Sequence, residues 1–386
     1  MKKAAGILAV IMALIILLAL VLPFVGCQIE LPEDRWTNFH NDLTNTGYTT
    51  AAAVSKAKIK WDSSSSIPTG VVSASSPTIR YDQVYVAAND GTVYCLEKDK
   101  GGFVWKYKAE AGGTVLTTPA VAGNKVFVGA DDGYVYALNK KDGSLKWKQK
   151  LGGPVHSSPK VAYSKVFVGC DDGHLYVLDD GNGEIKWQYD TGTGGAIYTS
   201  PAVKFHKVYF GSDDGSVYCV DEKGKKLKWK YEVPTGKPVR SSLAVGSSEV
   251  YFGSDDGNVY CLHDSTDLKI YWTYSTGDKV QSSPALAYSK VFIGSDDGTV
   301  YALKSGKKGG ELKWSYKTNG PVRSSPALAA HYVYFASHDG SLYVVKENKN
   351  GALAFSYALG GQPDTSPALA ANKLYVGGDK LICFKK

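Results

Sequence analysis

The residues of this chain best suited to hold a cation are its paired carboxylates: Asp131-Asp132, Asp171-Asp172, Asp213-Asp214, Asp255-Asp256 and Asp296-Asp297, each followed by glycine. Ca²⁺ needs six to eight oxygens converging on one point. One such turn offers two carboxylates, and equivalent turns in successive repeats stand apart, so the pairs read as turn chemistry. The six cysteines, Cys27, Cys95, Cys170, Cys219, Cys261 and Cys383, are too scattered for a CxxC redox pair, a c-type haem attachment or a zinc ribbon. Cys95, Cys219, Cys261 and Cys383 occupy a slot that holds Ala or Val in other repeats, and Cys170 aligns with Ala130 and Ser212, so these five read as buried packing residues. The seven histidines form no HExxH pair and imply no metal site. Segments such as Gly211–Gly215 are not nucleophile elbows, because the serine is not central. Neither a Walker A loop nor a GxGxxG phosphate cradle occurs.

What must position these residues is a repeat. A Ser/Thr-Ser/Thr-Pro tripeptide places its proline at Pro77, Pro119, Pro159, Pro201, Pro284, Pro326 and Pro367, with Leu243 in the remaining slot. A turn glycine recurs in phase at Gly91, Gly133, Gly173, Gly215, Gly257, Gly298 and Gly340. So does a tryptophan, at Trp61, Trp105, Trp147, Trp187, Trp229, Trp272 and Trp314, with Phe355 in the eighth slot. Around each glycine the apolar residues alternate with period two, and Asp-Gly between such runs is a strong hairpin signal. Four short strands per unit, repeated radially, describe a propeller blade. The chain is therefore expected to be all-β, an eight-bladed β-propeller of four-stranded antiparallel blades over residues 58–386. The last unit ends without an outer strand, so the N-terminal Trp61 strand is predicted to close the last blade, joining both chain ends and removing two free edges.

Composition agrees: of 386 residues, 44% are hydrophobic and 21% charged, and Gly and Tyr are abundant. The net charge of +7 is too mild to imply nucleic acid. Lys2 and Lys3 precede an uncharged apolar run from Ala4 to Gly26, the pattern of an export signal, and long enough to span a bilayer. Residues 1–26 are thus expected to be a signal peptide or membrane anchor. Phe24-Val25-Gly26-Cys27 resembles a lipobox, which makes Cys27 the candidate lipidation site. Residues 27–57 carry weak structure signals and read as a polar tether. Lysines crowd the outer strands and the turns before them, among them Lys146, Lys148, Lys223, Lys226, Lys307 and Lys308. Charged edges block aggregation; an anionic lipid or glycan is the sharper alternative.

One position escapes the repeat. The residue before each Ser/Thr pair is Ala74, Leu116, His156, Tyr198, Arg240, Gln281, Arg323 and Asp364. Equivalent inner-strand positions circle the channel. His156, Tyr198, Arg240, Gln281, Arg323 and Asp364 are therefore a candidate ring for an anionic or hydrogen-bonding ligand, against the alternative of a water-filled channel with indifferent lining.

Tyr136-Ala137-Leu138-Asn139, followed by Gly143-Ser144-Leu145-Lys146-Trp147, resembles the PQQ-like repeat, in which a tryptophan docks between blades. Trp36-Thr37-Asn38-Phe39-His40-Asn41-Asp42, followed by Thr46-Gly47-Tyr48, is similar to a segment that often precedes such propellers. The resemblance covers residues 35–386 and implies docking roles for Trp61, Trp105, Trp147, Trp187, Trp229, Trp272 and Trp314. Within that family, quinoprotein dehydrogenases carry pyrroloquinoline quinone and Ca²⁺, the quinone clamped between a tryptophan and two adjacent cysteines. This chain has no Cys-Cys pair, its Trp36 is assigned to the tether, and its uniform repeats leave no room for pocket-building insertions. The other branch, lipoproteins of outer-membrane protein assembly and related non-catalytic propellers, implies a scaffold. The expectation is a non-catalytic, membrane-anchored extracytoplasmic interaction scaffold, without cofactor, monomeric, with a protein partner in or at the membrane. The alternatives are a quinone-dependent dehydrogenase and a propeller that recognises a cell-surface glycan or small ligand.

Overall fold

The computed structural model describes residues 35–68, 75–109, 113–224 and 226–386; Cys27 and the apolar run lie outside them. Every repeat folds as an antiparallel four-stranded sheet, and eight such blades make an all-β propeller. The third blade is representative, with an inner strand Lys160–Ala162, a second strand Lys165–Gly169, a third His174–Asp179 and an outer strand Ile185–Asp190. Val166, Phe167, Val168, Leu175, Val177 and Leu178 are fully buried. The two middle strands are covered on both faces by the neighbouring blades, which is why they read as nearly continuous apolar runs. Outer strands, covered on one side, alternate instead.

The Asp-Asp-Gly turns join second to third strands and define one face of the disc, here the aspartate face. In the third blade Asp172 Oδ1 accepts the His174 N–H (3.0 Å) and Oδ2 accepts the Tyr176 hydroxyl (2.6 Å). The same two bonds recur at Asp90, Asp132, Asp214, Asp256, Asp297 and Asp339. The second aspartate of each pair thus holds its own hairpin, and at Asp214, Asp256, Asp297 and Asp339 it also accepts a bond from the loop that leads in from the preceding blade.

Blades are tied to each other by two recurring devices. In seven of the eight inner motifs the second Ser/Thr donates its N–H to the equivalent hydroxyl one blade on, as Ser200 does to Ser242 (2.8 Å), and Ser366 to Ser76 (2.9 Å) links the eighth blade to the first. Each outer-strand tryptophan reaches the third-to-outer turn of the following blade. Trp105 Nε1 donates to Lys140 O (2.9 Å) and its ring lies against Gly143. Trp61 does the same to Lys98 O (3.0 Å) and Gly101, linking the eighth blade to the first. Its strand, Ile59–Asp62, pairs antiparallel with Ile382–Lys385, Trp61 opposite Cys383, as the spacing predicts. The docking turn also explains Phe355. The blade after it is the eighth, whose outer strand comes from the other end of the chain, so no third-to-outer turn exists there to receive an indole N–H.

The tether expectation for 27–57 is overturned over its described part. From Trp36 onward the chain enters the central channel and winds once round it as a belt. Trp36 pairs with Ile79 of the first blade, and Tyr48–Thr49 adds a parallel strand to the inner edge of the seventh, opposite Leu328–Ala329. Trp36, His40, Asn45, Ala51 and Val54 are all buried. The physical reason is the inner edge itself. Eight short edge strands facing one another across a channel leave backbone donors that need acceptors, and a chain running past them supplies carbonyls in turn.

Candidate functional site

The belt satisfies the inner strands one by one. Val121 donates to Thr37 O (3.0 Å), Val203 to Leu43 O (2.7 Å), Val245 to Thr44 O (2.9 Å), Leu286 to Thr46 O (2.8 Å) and Leu328 to Gly47 O (2.8 Å). The third blade is tied differently, through Lys160. Its ammonium, fully buried, donates to Phe39 O (3.0 Å), Asp42 O (2.9 Å) and Asn45 Oδ1 (2.6 Å), one acceptor for each N–H. Burial pushes the Lys160 amine down to about 7. Asn45 also donates to Leu243 O (3.1 Å), and Asp42 Oδ1 accepts the Thr44 (2.8 Å) and Thr46 (3.1 Å) N–H groups. His40 sits between Asn45 O and Pro326 O, each 3.0 Å from a ring nitrogen, and burial lowers its pKa to about 4. Gly47, at φ +63°, passes so close that a Cβ there would stand 2.9 Å from Pro326 O.

Lys160 was detectable in the sequence and was missed. The slot after the motif's proline holds Thr78, Ala120, Ala202, Ala244, Ala285, Ala327 and Ala368 elsewhere, so a lone lysine there is a departure that folding of the blade does not require. Trp36, assigned to a tether, lies instead in the channel, buried against the first blade.

The candidate ring lies at the aspartate-face mouth of the channel, and its members are joined to the first aspartate of each pair. Arg240 makes a two-pronged contact to Asp213 (3.0 and 2.9 Å), Arg323 to Asp296 (3.0 Å on both prongs), and Gln281 donates to Asp255 (3.0 Å). His156 lies 2.9 Å from both Asp131 and Asp171, and the Asp171 hydrogen bond raises its pKa. Tyr198 packs between His156, ring centroids 5.3 Å apart, and the Arg240 guanidinium, 5.2 Å from its ring. In the seventh blade the polarity is exchanged. His338 stands where others have aspartate, Asp364 where others have a donor, and the two meet at 2.6 Å. Arg240, Gln281, Arg323 and Asp364 thus reach back to the turn of the preceding blade, and His156 lies between that turn and its own. The carboxylates raise the pKa of Arg240 and Arg323 through these hydrogen bonds. The mouth is a self-paired annulus of alternating charge rather than a set of free cations awaiting an anion. Among the described residues no group of His, Cys, Asp and Glu side chains could hold a metal ion, and Cys95, Cys170, Cys219, Cys261 and Cys383 are free and buried.

Comparison with known proteins agrees with this geometry. A family model described as outer membrane protein assembly factor BamB matches residues 89–243 and 213–384. No curated protein sequence matches the chain. Among solved structures, BamB from Moraxella catarrhalis superposes with a TM-score of 0.70 at 18% identity, covering 83% of this chain and 99% of that one. A europium-containing methanol dehydrogenase gives 0.74 at 15% identity, covering 90% and 89%. The quinohemoprotein alcohol dehydrogenase of Comamonas testosteroni gives 0.74 at 15%, covering 90% and 77%. Likeness at such identities establishes the shared propeller alone. With the repeat, the eight blades and the matched model in agreement, the chain belongs to the BamB-type family of PQQ-like repeat β-propellers.

Proposed function

We propose that this propeller is a non-catalytic, exported and membrane-anchored scaffold that binds a protein partner through the aspartate-face mouth, BamB-like in outer-membrane protein assembly. The observation that carries this reading is the occupied channel. The concave site a propeller offers a small ligand is filled by the chain's own belt, with Lys160, Asn45 and His40 hydrogen-bonded inside it. What remains at the mouth is a rim of alternating charge in which the Arg240 and Arg323 heads are still about 40% exposed. Such a rim suits recognition of a complementary charged protein surface, giving orientation and rate more than raw affinity.

The test is a crosslinked pull-down of the tagged full chain from membranes of its own organism. Near-stoichiometric recovery of an outer-membrane barrel assembly protein, reduced by Arg240→Ala with Arg323→Ala, is the expected result. Recovery of no partner by the folded, membrane-bound protein overturns the scaffold role. A stoichiometric absorbance change on titration with pyrroloquinoline quinone and Ca²⁺, with dye-linked alcohol oxidation, overturns the non-catalytic reading.

A further inference from the structure

The face opposite the aspartates is built from the first-to-second and third-to-outer turns. At one slot of the first-to-second turns, four blades carry an aromatic residue: Tyr81, Tyr163, Phe205 and Tyr288. All four hold a left-handed backbone, with φ of 54°, 52°, 46° and 53°, a conformation unfavourable for bulky side chains. The turn itself does not demand an aromatic there. The slot is Gly123 in the second blade, with open space around it, and Ala330 and Ala371 in the seventh and eighth. Phe205 is nevertheless 77% exposed and Tyr163 46%. Tyr288 packs against Tyr48 and His331, but the rings of Tyr163 and Phe205, kept in water at positions where the backbone disfavours them, point to a use outside the fold.

Their surroundings indicate which use. Lys204 Nζ lies 5.2 Å from the Phe205 ring and Lys140 Nζ 4.1 Å from the Tyr81 ring. The third-to-outer turns add eleven lysines, among them Lys100, Lys141, Lys307 and Lys308, against nine carboxylates, and the first-to-second turns contain one carboxylate, Asp82. Aromatic tips flanked by lysines are the side chains that settle at the headgroup level of an anionic bilayer. A second observation is where the chain arrives. Arg35 lines a cleft with Arg80 and Ala122, the final residues of the inner strands of the first two blades, so the belt enters from this face. Residues 27–34 span at most about 28 Å when fully extended. On the membrane-anchored reading of residues 1–26, a tether of that length would reach the propeller from this face.

We propose that the aromatic face is seated on the lipid bilayer, with Phe205 and Tyr163 entering the headgroup region, which leaves the charged mouth pointing away to receive a partner. The inference rests on the membrane-anchored reading of residues 1–26. The experiment reconstitutes the full chain in vesicles of phosphatidylcholine with phosphatidylglycerol. An environment-sensitive fluorophore is placed at Ser164→Cys or Ser289→Cys on this face, or at Lys237→Cys on the aspartate face, and spin-labelled lipids serve as quenchers. The expected result is a blue shift and strong lipid quenching at positions 164 and 289, weak quenching at 237, and loss of the shift when Tyr163→Ser and Phe205→Ser are combined. Equal quenching on both faces, or none at 164 and 289 in protein that stays with alkali-washed vesicles, overturns the proposal and leaves the anchor intact. Shielding of 164 and 289 from a water-soluble quencher without lipid quenching assigns the face to a protein or second copy, and likewise overturns it. Release of the protein by alkali overturns the anchor and the proposal together.

Discussion

Replacing Lys160 with methionine keeps most of the buried stem and removes the ammonium, which isolates its hold on the belt. Three oxygens lose their donor inside the channel: Phe39 O, Asp42 O and Asn45 Oδ1, now 3.0, 2.9 and 2.6 Å from Nζ. A buried acceptor left without a donor costs about 1–3 kcal/mol, so the three together cost roughly 3–9 kcal/mol. Against this stands relief of the cost of burying a charge, several kcal/mol, the same cost that draws the amine down to about 7. The balance is a loss of about 3 kcal/mol in attachment of the belt, or on the order of a hundredfold in its opening equilibrium. Hydrogen exchange reads such local opening directly. The amides of Val203, Val245, Leu286 and Leu328, which donate to belt carbonyls, should exchange about a hundredfold faster in K160M, while amides between the second and third strands of each blade keep their protection. The pH dependence has a defined sign. The folded protein releases this proton near pH 7 and the unfolded chain near 10.5. Between those values the unfolded state binds more protons and native stability rises with pH. The wild-type minus K160M stability difference should therefore climb across that window. Unchanged exchange at the four amides, or a flat difference profile, would refute the anchoring argument.

Other substitutions probe the belt, the ring closure and the annulus. Gly47→Ala places a Cβ 2.9 Å from Pro326 O on a backbone at φ +63°, and should lower stability by about 1–3 kcal/mol, read as a fall in Tm. Trp61→Ala removes the indole that joins the eighth blade to Lys98 and Gly101 of the first; a loss of about 3–5 kcal/mol in denaturant unfolding is expected, with exchange rising first in the terminal strand Ile382–Lys385. His156 should titrate above its ordinary 6.5 in a histidine NMR experiment, and Asp171→Asn should bring it back down, because Asp171 is the main cause of the shift. Since that folded-state value is raised, the contribution of His156 is complete below pH 6.5 and fades as pH climbs through the raised value.

The fold was legible because a propeller is periodic. Three landmarks in phase, the Ser/Thr pair, the turn glycine and the tryptophan, each answer to a contact repeated round the ring, so their spacing counts the blades, and the unpaired Trp61 strand shows where the ring closes. The candidate ring was legible as a position, because a slot that varies among fixed neighbours stands out. Its partners were not. Arg240, Gln281 and Arg323 pair with the first aspartate of a turn in the preceding blade, 26 or 27 residues back, as Arg240 does with Asp213, and a pair of aspartates that reads as turn chemistry gives no hint that its two members do different work. The belt was hidden for a related reason. Residues 36–49 lack strand periodicity because they do not pair along one strand. They offer single carbonyls to successive blades and coil through left-handed residues such as His40, Asn41 and Asn45.

By itself the sequence determined the architecture: eight blades, the closing strand, tryptophans at the blade junctions and the ring position at the channel mouth, all of them consequences of local patterns repeated at a constant interval. Only the tertiary structure decided what occupies the channel and how the mouth is charged. Those outcomes depend on groups that meet across blades, a lysine reaching a segment more than a hundred residues away and an arginine meeting its neighbour's turn. Hydrogen bonding and burial act on what is close in space, and a closed ring brings together residues whose separation along the chain carries no trace of the contact.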